Sequence, residues 1–242
     1  MSLDSVNVSA AGPYVCGDGI RDDVLRMIPP DGRVIGSIGC GKGATEAALV
    51  RQGREVHGVD IAPEAISVAR ERLTSARLIA SDDRRPFAPA SLDGLILADV
   101  LEHVPQAWDA LRAYAQAVRP GGWVVISVPN HRSFFAARQY AIGGDWPEEP
   151  VGLFDATHIQ FMTRRRLTRW CQSAGLRVVA WVNTWGPYGW NGNRWLRLLN
   201  LVTLGLLREW LQYQIQIVCR KASGAELVPA PGQPSTEEAR RA

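Results

Sequence analysis

The stretch from Val34 to Arg51 constrains this 242-residue chain more than any other. A short β-branched run, Arg33–Ile38, passes straight into Gly39-Cys40-Gly41-Lys42-Gly43, and a helical stretch follows from Thr45 to Arg51. Glycines there let the backbone turn sharply and approach a ligand closely, while a helix start offers unpaired N–H groups. The rhythm then repeats. Glu55–Val59 reads as a strand, Glu64–Leu73 as a helix, Arg77–Ala80 and Leu92–Leu97 as strands, Ala107–Val118 as a helix and Trp123–Val128 as a strand. Apolar runs such as Leu95-Ile96-Leu97 and Val124-Val125-Ile126 suit strands buried on both faces. The alternation predicts an α/β, doubly wound, mostly parallel sheet with helices on both sides.

Residues 130–163 break the rhythm with Gly, Pro and aromatics and read as an inserted loop region. A helix over Arg164–Ala174 resumes it, with Thr163 as N-cap, Gly175 as stop, and Leu167, Trp170, Cys171 and Ala174 on one face. Leu176–Val182 and Tyr213–Cys219 complete a seven-stranded sheet. Residues 184–210, between them, are too long for a hairpin loop and form a second insert or helical cap. The organisation expected is a lead-in at 1–32, one domain at 33–222 and a disordered tail at 223–242, where Pro229, Pro231 and Pro234 cluster.

Composition narrows the class. With 46% hydrophobic and 21% charged residues the chain is globular, and a net charge of +3 is too small to argue for nucleic acid. Cys16, Cys40, Cys171 and Cys219 form no CxxC pair, which fits neither a zinc site nor a secreted disulfide framework and suggests a reducing, cytoplasmic setting. No basic start followed by an apolar run marks a signal peptide. The greasiest window, Leu198–Leu207, is far short of the roughly 20 apolar residues of a membrane span.

Three nucleotide-type ligands compete for the glycine loop. Gly36, Gly41 and Lys42 fit a phosphate-binding GxxxxGK, but Gly43 stands where that loop needs a Ser or Thr for Mg²⁺. Gly39 to Ala44 satisfy a relaxed GxGxxG/A with Asp60 about twenty residues on, as in a dinucleotide fold and its NAD-dependent oxidoreductases. An acid at that place accepts from the ribose hydroxyls of any adenosine-bearing ligand.

The full run of motifs, across roughly residues 33 to 182, resembles the class I S-adenosylmethionine-dependent methyltransferases. Ile38 to Gly43 looks like their first motif, Val59-Asp60-Ile61 their second, Ser81-Asp82 their third, Leu92 to Val104 their fourth, and Arg119-Pro120-Gly121-Gly122-Trp123 the lead into their fifth strand. The resemblance implies S-adenosyl-L-methionine as methyl donor. It implies cofactor contacts from Ser37, Gly39, Cys40, Gly41 and Gly43, from Asp60 at the ribose with Ile61 after it, from Asp82 at the adenine with Asp83 after it, and from Ala98. Ser37 departs from the pattern: the family usually has Asp or Glu there, helping to anchor the methionine ammonium. A hydroxyl can still accept a hydrogen bond but supplies no charge, which weakens cofactor binding and keeps open a non-catalytic cofactor-binding partner or regulator.

The same resemblance implies O-methylation of a small-molecule or glycan/sugar-type acceptor. His103, past the fourth strand, is the candidate general base, against a packing role. Asp99, Glu102 and His103 have the i, i+3, i+4 spacing of a carboxylate–imidazole metal site on one helix face, a pattern some quinone O-methyltransferases share, although no metal is expected. His158 lies in Thr157-His158-Ile159-Gln160-Phe161-Met162-Thr163, which resembles a segment of a subgroup associated with cell-envelope glycans and of methionine-biosynthesis-type methyltransferases. It is a second catalytic candidate, His131 a weaker one, and His57 reads as structural. Trp170 and Trp181 read as core; Trp185, Trp190 and Trp195 as a lid core or a flat-ligand platform. The helical face of Trp195, Leu198, Leu199, Val202 and Leu206 is expected to pack on the domain, pair two subunits or touch a membrane surface. Arg164, Arg165 and Arg166 read as a solvated face, or as a site for an anionic lipid-linked or sugar-phosphate acceptor.

Overall fold

The computed structural model describes residues 19–185 and 193–223. The expected lead-in up to residue 18, with Cys16, and Trp190 and the tail from 224 lie outside the described residues. The elements are α1 (Asp22–Leu25), β1 (Val34–Ile38), α2 (Glu46–Arg51), β2 (Glu55–Asp60), α3 (Pro63–Arg72), β3 (Ser75–Leu78) and β4 (Leu92–Ala98). A 3₁₀ turn, Leu101–His103, leads to α4 (Ala107–Gln116), β5 (Val118–Pro129), α5 (Phe134–Gly143), α6 (Arg164–Ser173), β6 (Leu176–Trp185), α7 (Asn193–Val202) and β7 (Gln212–Lys221).

The strands form one seven-stranded sheet in the order β3-β2-β1-β4-β5-β7-β6. β1 pairs in parallel with β2 and β4, and β4 with β5, whereas β7 runs antiparallel to β5 and β6. The order reverses direction between β1 and β4, so the loops after those strands diverge and open a crevice at their carboxyl ends.

The two-residue period of a strand divides the core. Leu95, Leu97, Val124, Ile126 and Val128 join one apolar cluster with α4 and α6, while Ile96, Trp123 and Val125 join the other with Leu49, Ile66 and Ala69. Val24, at 0% exposure, and Met27 seal the second cluster from the N-terminal side. Gly94 has no room for a side chain, because a Cβ would stand 2.2 Å from the Trp123 ring.

Several boundaries differ from the sequence expectation. β5 begins at Val118 rather than Trp123, with Arg119 to Gly122 bulging between two paired stretches. The 130–163 insert contains α5, capped by Ser133, which accepts from the Ala136 N–H. Its Phe134, Tyr140 and Ile142 are all exposed, so no buried stripe marks the helix in the sequence. Thr163 and Gly175 act as expected: the Thr163 hydroxyl accepts from the Arg166 N–H, and Gly175 takes a φ of 69°. Trp170 is buried, but Trp181 only partly, beneath the Arg164 guanidinium at 4.1 Å. Arg166 likewise lies over Trp170 at 4.7 Å, so these two arginines are not the free, solvated face expected, because stacking on indole replaces part of their hydration. Trp195, Leu198, Leu199, Val202 and Leu206 are exposed, so that face of α7 does not pack on the domain. Among the described residues no helix is long and apolar enough to cross a membrane.

Candidate active site

β1 delivers the chain into a loop in which Gly39, Gly41 and Gly43 take φ values of 68°, 53° and 71°, a region side chains rarely adopt. The loop folds back on the end of β2. Gly39 and Cys40 donate their N–H groups to the Val59 carbonyl at 2.8 and 3.1 Å, and the Gly41 N–H reaches Asp60 Oδ2 at 2.7 Å. The other oxygen of Asp60 accepts from the Ala62 N–H at 2.9 Å. The carboxylate, 2% exposed, is therefore fixed by two backbone amides, and each oxygen keeps a lone pair for a further donor. Ile61, the next residue, is 51% exposed.

A cavity of about 330 Å³ opens at the strand-order reversal, lined by Gly39, Cys40 and Gly41, by Thr45 and Glu46, by Ala98 and Asp99, and by Arg21. Ser37 and Asp60 stand behind this lining and hold parts of it in place: Ser37 through Glu46, Asp60 through Gly41. The Ser37 hydroxyl does not wait as an acceptor, as the sequence reading had it; it donates to Glu46 Oε1 at 2.7 Å. Asp82 is exposed, and Asp83 accepts from the Arg85 N–H; both lie outside the cavity lining. A cavity in the size range of small-molecule sites, cradled by bare backbone and backed by an oriented carboxylate, fits an adenosine-bearing ligand with a polar tail.

The histidines gather beyond the end of β4. His103, on the 3₁₀ turn, has Nδ1 2.9 Å from Thr157 Oγ1, whose hydroxyl lies 2.6 Å from Asp155 Oδ1. A threonine hydroxyl has one proton, and the carboxylate is the stronger acceptor. Thr157 therefore accepts from the His103 Nδ1–H, which leaves Nε2 with its lone pair. His158 lies 4.8 Å from His103 ring to ring, and His131 lies 5.9 Å from His158. His131 Nδ1 accepts from the Met162 N–H, and burial, then the nearby His158, lowers its pKa to about 4. Burial, then His103, also lowers His158. His57 is elsewhere, bonded to Ser75 and Glu55 on β2 and β3.

Glu102 is 0% exposed, and neither carboxylate oxygen has a partner among the described residues. Burial first, then the charge of Asp99, pushes its carboxyl well above the usual range. Its backbone carbonyl accepts from the N–H groups of Ile159 and Gln160, which pins the insert to the 3₁₀ turn. Glu102, His103 and His158 each present a ligand atom within 4.8 Å of the others. The grouping differs from the Asp99, Glu102 and His103 helix face expected from spacing. The segment is a single 3₁₀ turn, and Asp99, at a φ of 54°, is tied to Arg21 and Gln214.

Beside His131 a second cavity, of about 310 Å³, is lined by His131, Ala136, Ala137, Tyr140, Trp146 and Phe161. Trp146 stacks on His131 at 5.6 Å and meets Phe161 at 5.1 Å. Sequence reasoning passed over Arg21, Glu46 and Trp146 as site residues. Glu46 reads as an ordinary acid in a helix's first turn, where the macrodipole favours one, and only its burial reveals otherwise.

Known proteins share this design. A family model described as a methyltransferase domain matches residues 16–180. The ubiquinone biosynthesis O-methyltransferase of Azoarcus sp. (strain BH72) is 31% identical over 157 residues, 62% of this chain and 66% of that one. The protein of the same name from Aeromonas salmonicida (strain A449) is 33% identical over 153 residues, 61% and 64% of the two chains. The chain thus spans slightly less than two thirds of the length of these curated relatives. In three dimensions it superposes on a SAM-dependent methyltransferase from Archaeoglobus fulgidus with a TM-score of 0.58 and 17% identity, over 83% of this chain and 90% of that one. A methyltransferase from Mesorhizobium loti gives 0.57 and 15%, over 82% and 96%. The architecture is the Rossmann-like methyltransferase fold, and the chain belongs to the class I S-adenosylmethionine-dependent methyltransferase family.

Proposed function

We propose that this chain is a methyltransferase that uses S-adenosylmethionine to methylate a hydroxyl of a small molecule, with His103 as the base. The single observation that carries this reading is the Asp155–Thr157–His103 chain, in which His103 sits on the turn directly after Ala98 and Asp99, two residues that line the cavity at the strand-order reversal. The fold alone does not settle the reaction, since a [4+2]-cyclase superposes with a TM-score of 0.58 and 13% identity. The curated relatives, named as O-methyltransferases of ubiquinone biosynthesis, support oxygen as the acceptor atom.

The residues that would hold the donor are the Gly39–Gly41 backbone, Glu46, Asp60, Ile61 and Ala98. Bound there, S-adenosylmethionine supplies an already activated methyl group on a sulfonium. The protein's share is therefore to place the acceptor and take its proton. Thr157 holds the His103 ring in the tautomer that leaves Nε2 free, and Asp155 stabilises the imidazolium formed when Nε2 takes the hydroxyl proton. The aromatic cavity beside His131 takes the acceptor's flat face, an aromatic ring or the apolar face of a sugar. The working domain is proposed to run to residue 222 and to take in Arg21, Val24 and Met27 ahead of the expected start at 33, with the 130–163 insert building the acceptor side.

The test is turnover, followed as S-adenosylhomocysteine production across a panel of hydroxylated aromatics and glycosides. His103→Ala should lower turnover about a hundredfold to ten-thousandfold and leave S-adenosylhomocysteine affinity unchanged. Normal turnover in that variant removes His103 as base.

The orphaned Glu102 favours a second reading, in which Glu102, His103 and His158 hold a divalent cation. It would polarise the acceptor hydroxyl as a Lewis acid and occupy the His103 nitrogen that the first reading assigns to the base. The two are separated by a chelator: activity lost with EDTA and restored by Mg²⁺ or Zn²⁺ supports the cation, and indifference to EDTA supports the base.

A further inference from the structure

A departure from the family pattern and a buried acid meet at one place in this chain. Position 37 carries serine instead of an acid, and the residue opening α2, Glu46, is an acid 5% exposed that lines the cavity. The Ser37 hydroxyl is 1% exposed and donates to Glu46 Oε1 at 2.7 Å. An aspartate at position 37 would extend about one bond beyond the serine hydroxyl, and a glutamate about two. A Glu46 oxygen within hydrogen-bond reach of that hydroxyl therefore brings a carboxylate to the neighbourhood such an acid would occupy.

Among the described residues no cation balances Glu46. The groups acting on it are the Ser37 hydroxyl, its own backbone amide and, repulsively, Asp60; no basic side chain is among them. Burial accordingly pushes its carboxyl up. A buried carboxylate without a cationic partner is strongly disfavoured in a folded interior unless a ligand supplies the missing charge. Arg21 lines the same cavity, but its guanidinium is turned to Asp23 and Asp99.

We infer that Glu46 is the carboxylate that receives the α-ammonium of S-adenosylmethionine, and that Ser37 is the residue that orients it. The acid of the first motif has not been lost; it has moved from the strand to the following helix. This rests on the cofactor reading proposed above, and it removes the reason, the serine at position 37, for suspecting a non-catalytic relative.

The test is isothermal titration calorimetry with two ligands: S-adenosylhomocysteine, which carries the ammonium, and 5′-methylthioadenosine, which lacks it. Glu46→Gln, which keeps the shape and removes the charge, should weaken S-adenosylhomocysteine about tenfold or more and leave methylthioadenosine within about twofold. Adding Ser37→Asp to Glu46→Gln should recover most of the lost affinity, because it returns the charge to the strand. Unchanged S-adenosylhomocysteine binding in Glu46→Gln overturns the assignment, and so does equal weakening of both ligands, which would mark a structural role. If the unaltered protein binds neither ligand, the cofactor reading itself fails and takes this inference with it.

Discussion

The two sides of the crevice are built in opposite ways. The proposed cofactor side is mainly local: Ser37, Gly39, Gly41, Glu46 and Asp60 fall within one strand–loop–helix–strand unit, and the bond from Gly41 to Asp60 spans 19 positions, while Arg21, Ala98 and Asp99 complete the cavity lining. The acceptor side is assembled across the chain. His103 comes from the end of β4, His131 from the end of β5, and Thr157 and His158 from the insert, with 54 positions between His103 and Thr157. The cofactor side is held mainly by backbone amides and tight glycine turns, whereas the acceptor side rests on rings and unshared charges.

That contrast can be broken by substitution. The largest effect is expected from His103→Ala, which should remove catalysis and spare cofactor affinity. Asp60→Ala should do the reverse: weaker S-adenosylhomocysteine binding by about tenfold to a hundredfold, from the loss of charge-assisted bonds, with much of the turnover recovered at saturating cofactor. If both variants lose binding and turnover together, the two sides are not separate.

A smaller effect reads the acceptor side through pH. His131 is kept neutral in the folded protein down to about 4, whereas the unfolded chain takes up its proton from about 6.5 downward. The unfolded state thus binds more protons in that window, so the stability is whole above pH 6.5 and lost as the pH falls toward 4. Urea denaturation at pH 7 and about pH 5 should show a loss of about 2 kcal/mol from this group, largely abolished in His131→Gln. An unchanged acid limb in that variant would mean His131 does not drive it.

The smallest effect tests the scaffold beneath both sides. Asp93 accepts from the Arg33 and Val34 N–H groups and from Arg119, and the Val34 amide foremost holds its carboxyl at about 2. Asp93→Ala should cost about 1–2 kcal/mol of stability, measured by denaturant unfolding, with S-adenosylhomocysteine affinity unchanged.

The fold was legible because its signals are periodic and local. Leu95-Ile96-Leu97 announced a strand buried on both faces, and the structure sends the three residues to alternate clusters. Gly39 to Gly43 announced the turn, and their positive φ values are what glycine alone adopts readily. α5 left no such trace, because no face of it is consistently buried. α7 did show an amphipathic pattern, but a pattern does not say what covers the apolar face, and this domain leaves it exposed. The grouping expected from the spacing differs for a related reason: i, i+3 and i+4 share a face only on a continuous α-helix, and here the segment is a single 3₁₀ turn in which Asp99, in a left-handed conformation, is engaged by Arg21 and Gln214.

By itself the sequence determined the order of the strands, the glycine turn and the acid at the end of β2, since each depends on residues close together in the chain. Only the tertiary structure decided which charges stand alone. Glu46 and Glu102 look like surface acids in the sequence, and they become candidate site residues because distant elements bury them: no basic side chain acts on Glu46, and the pull of Arg21 on Glu102 does not offset its burial.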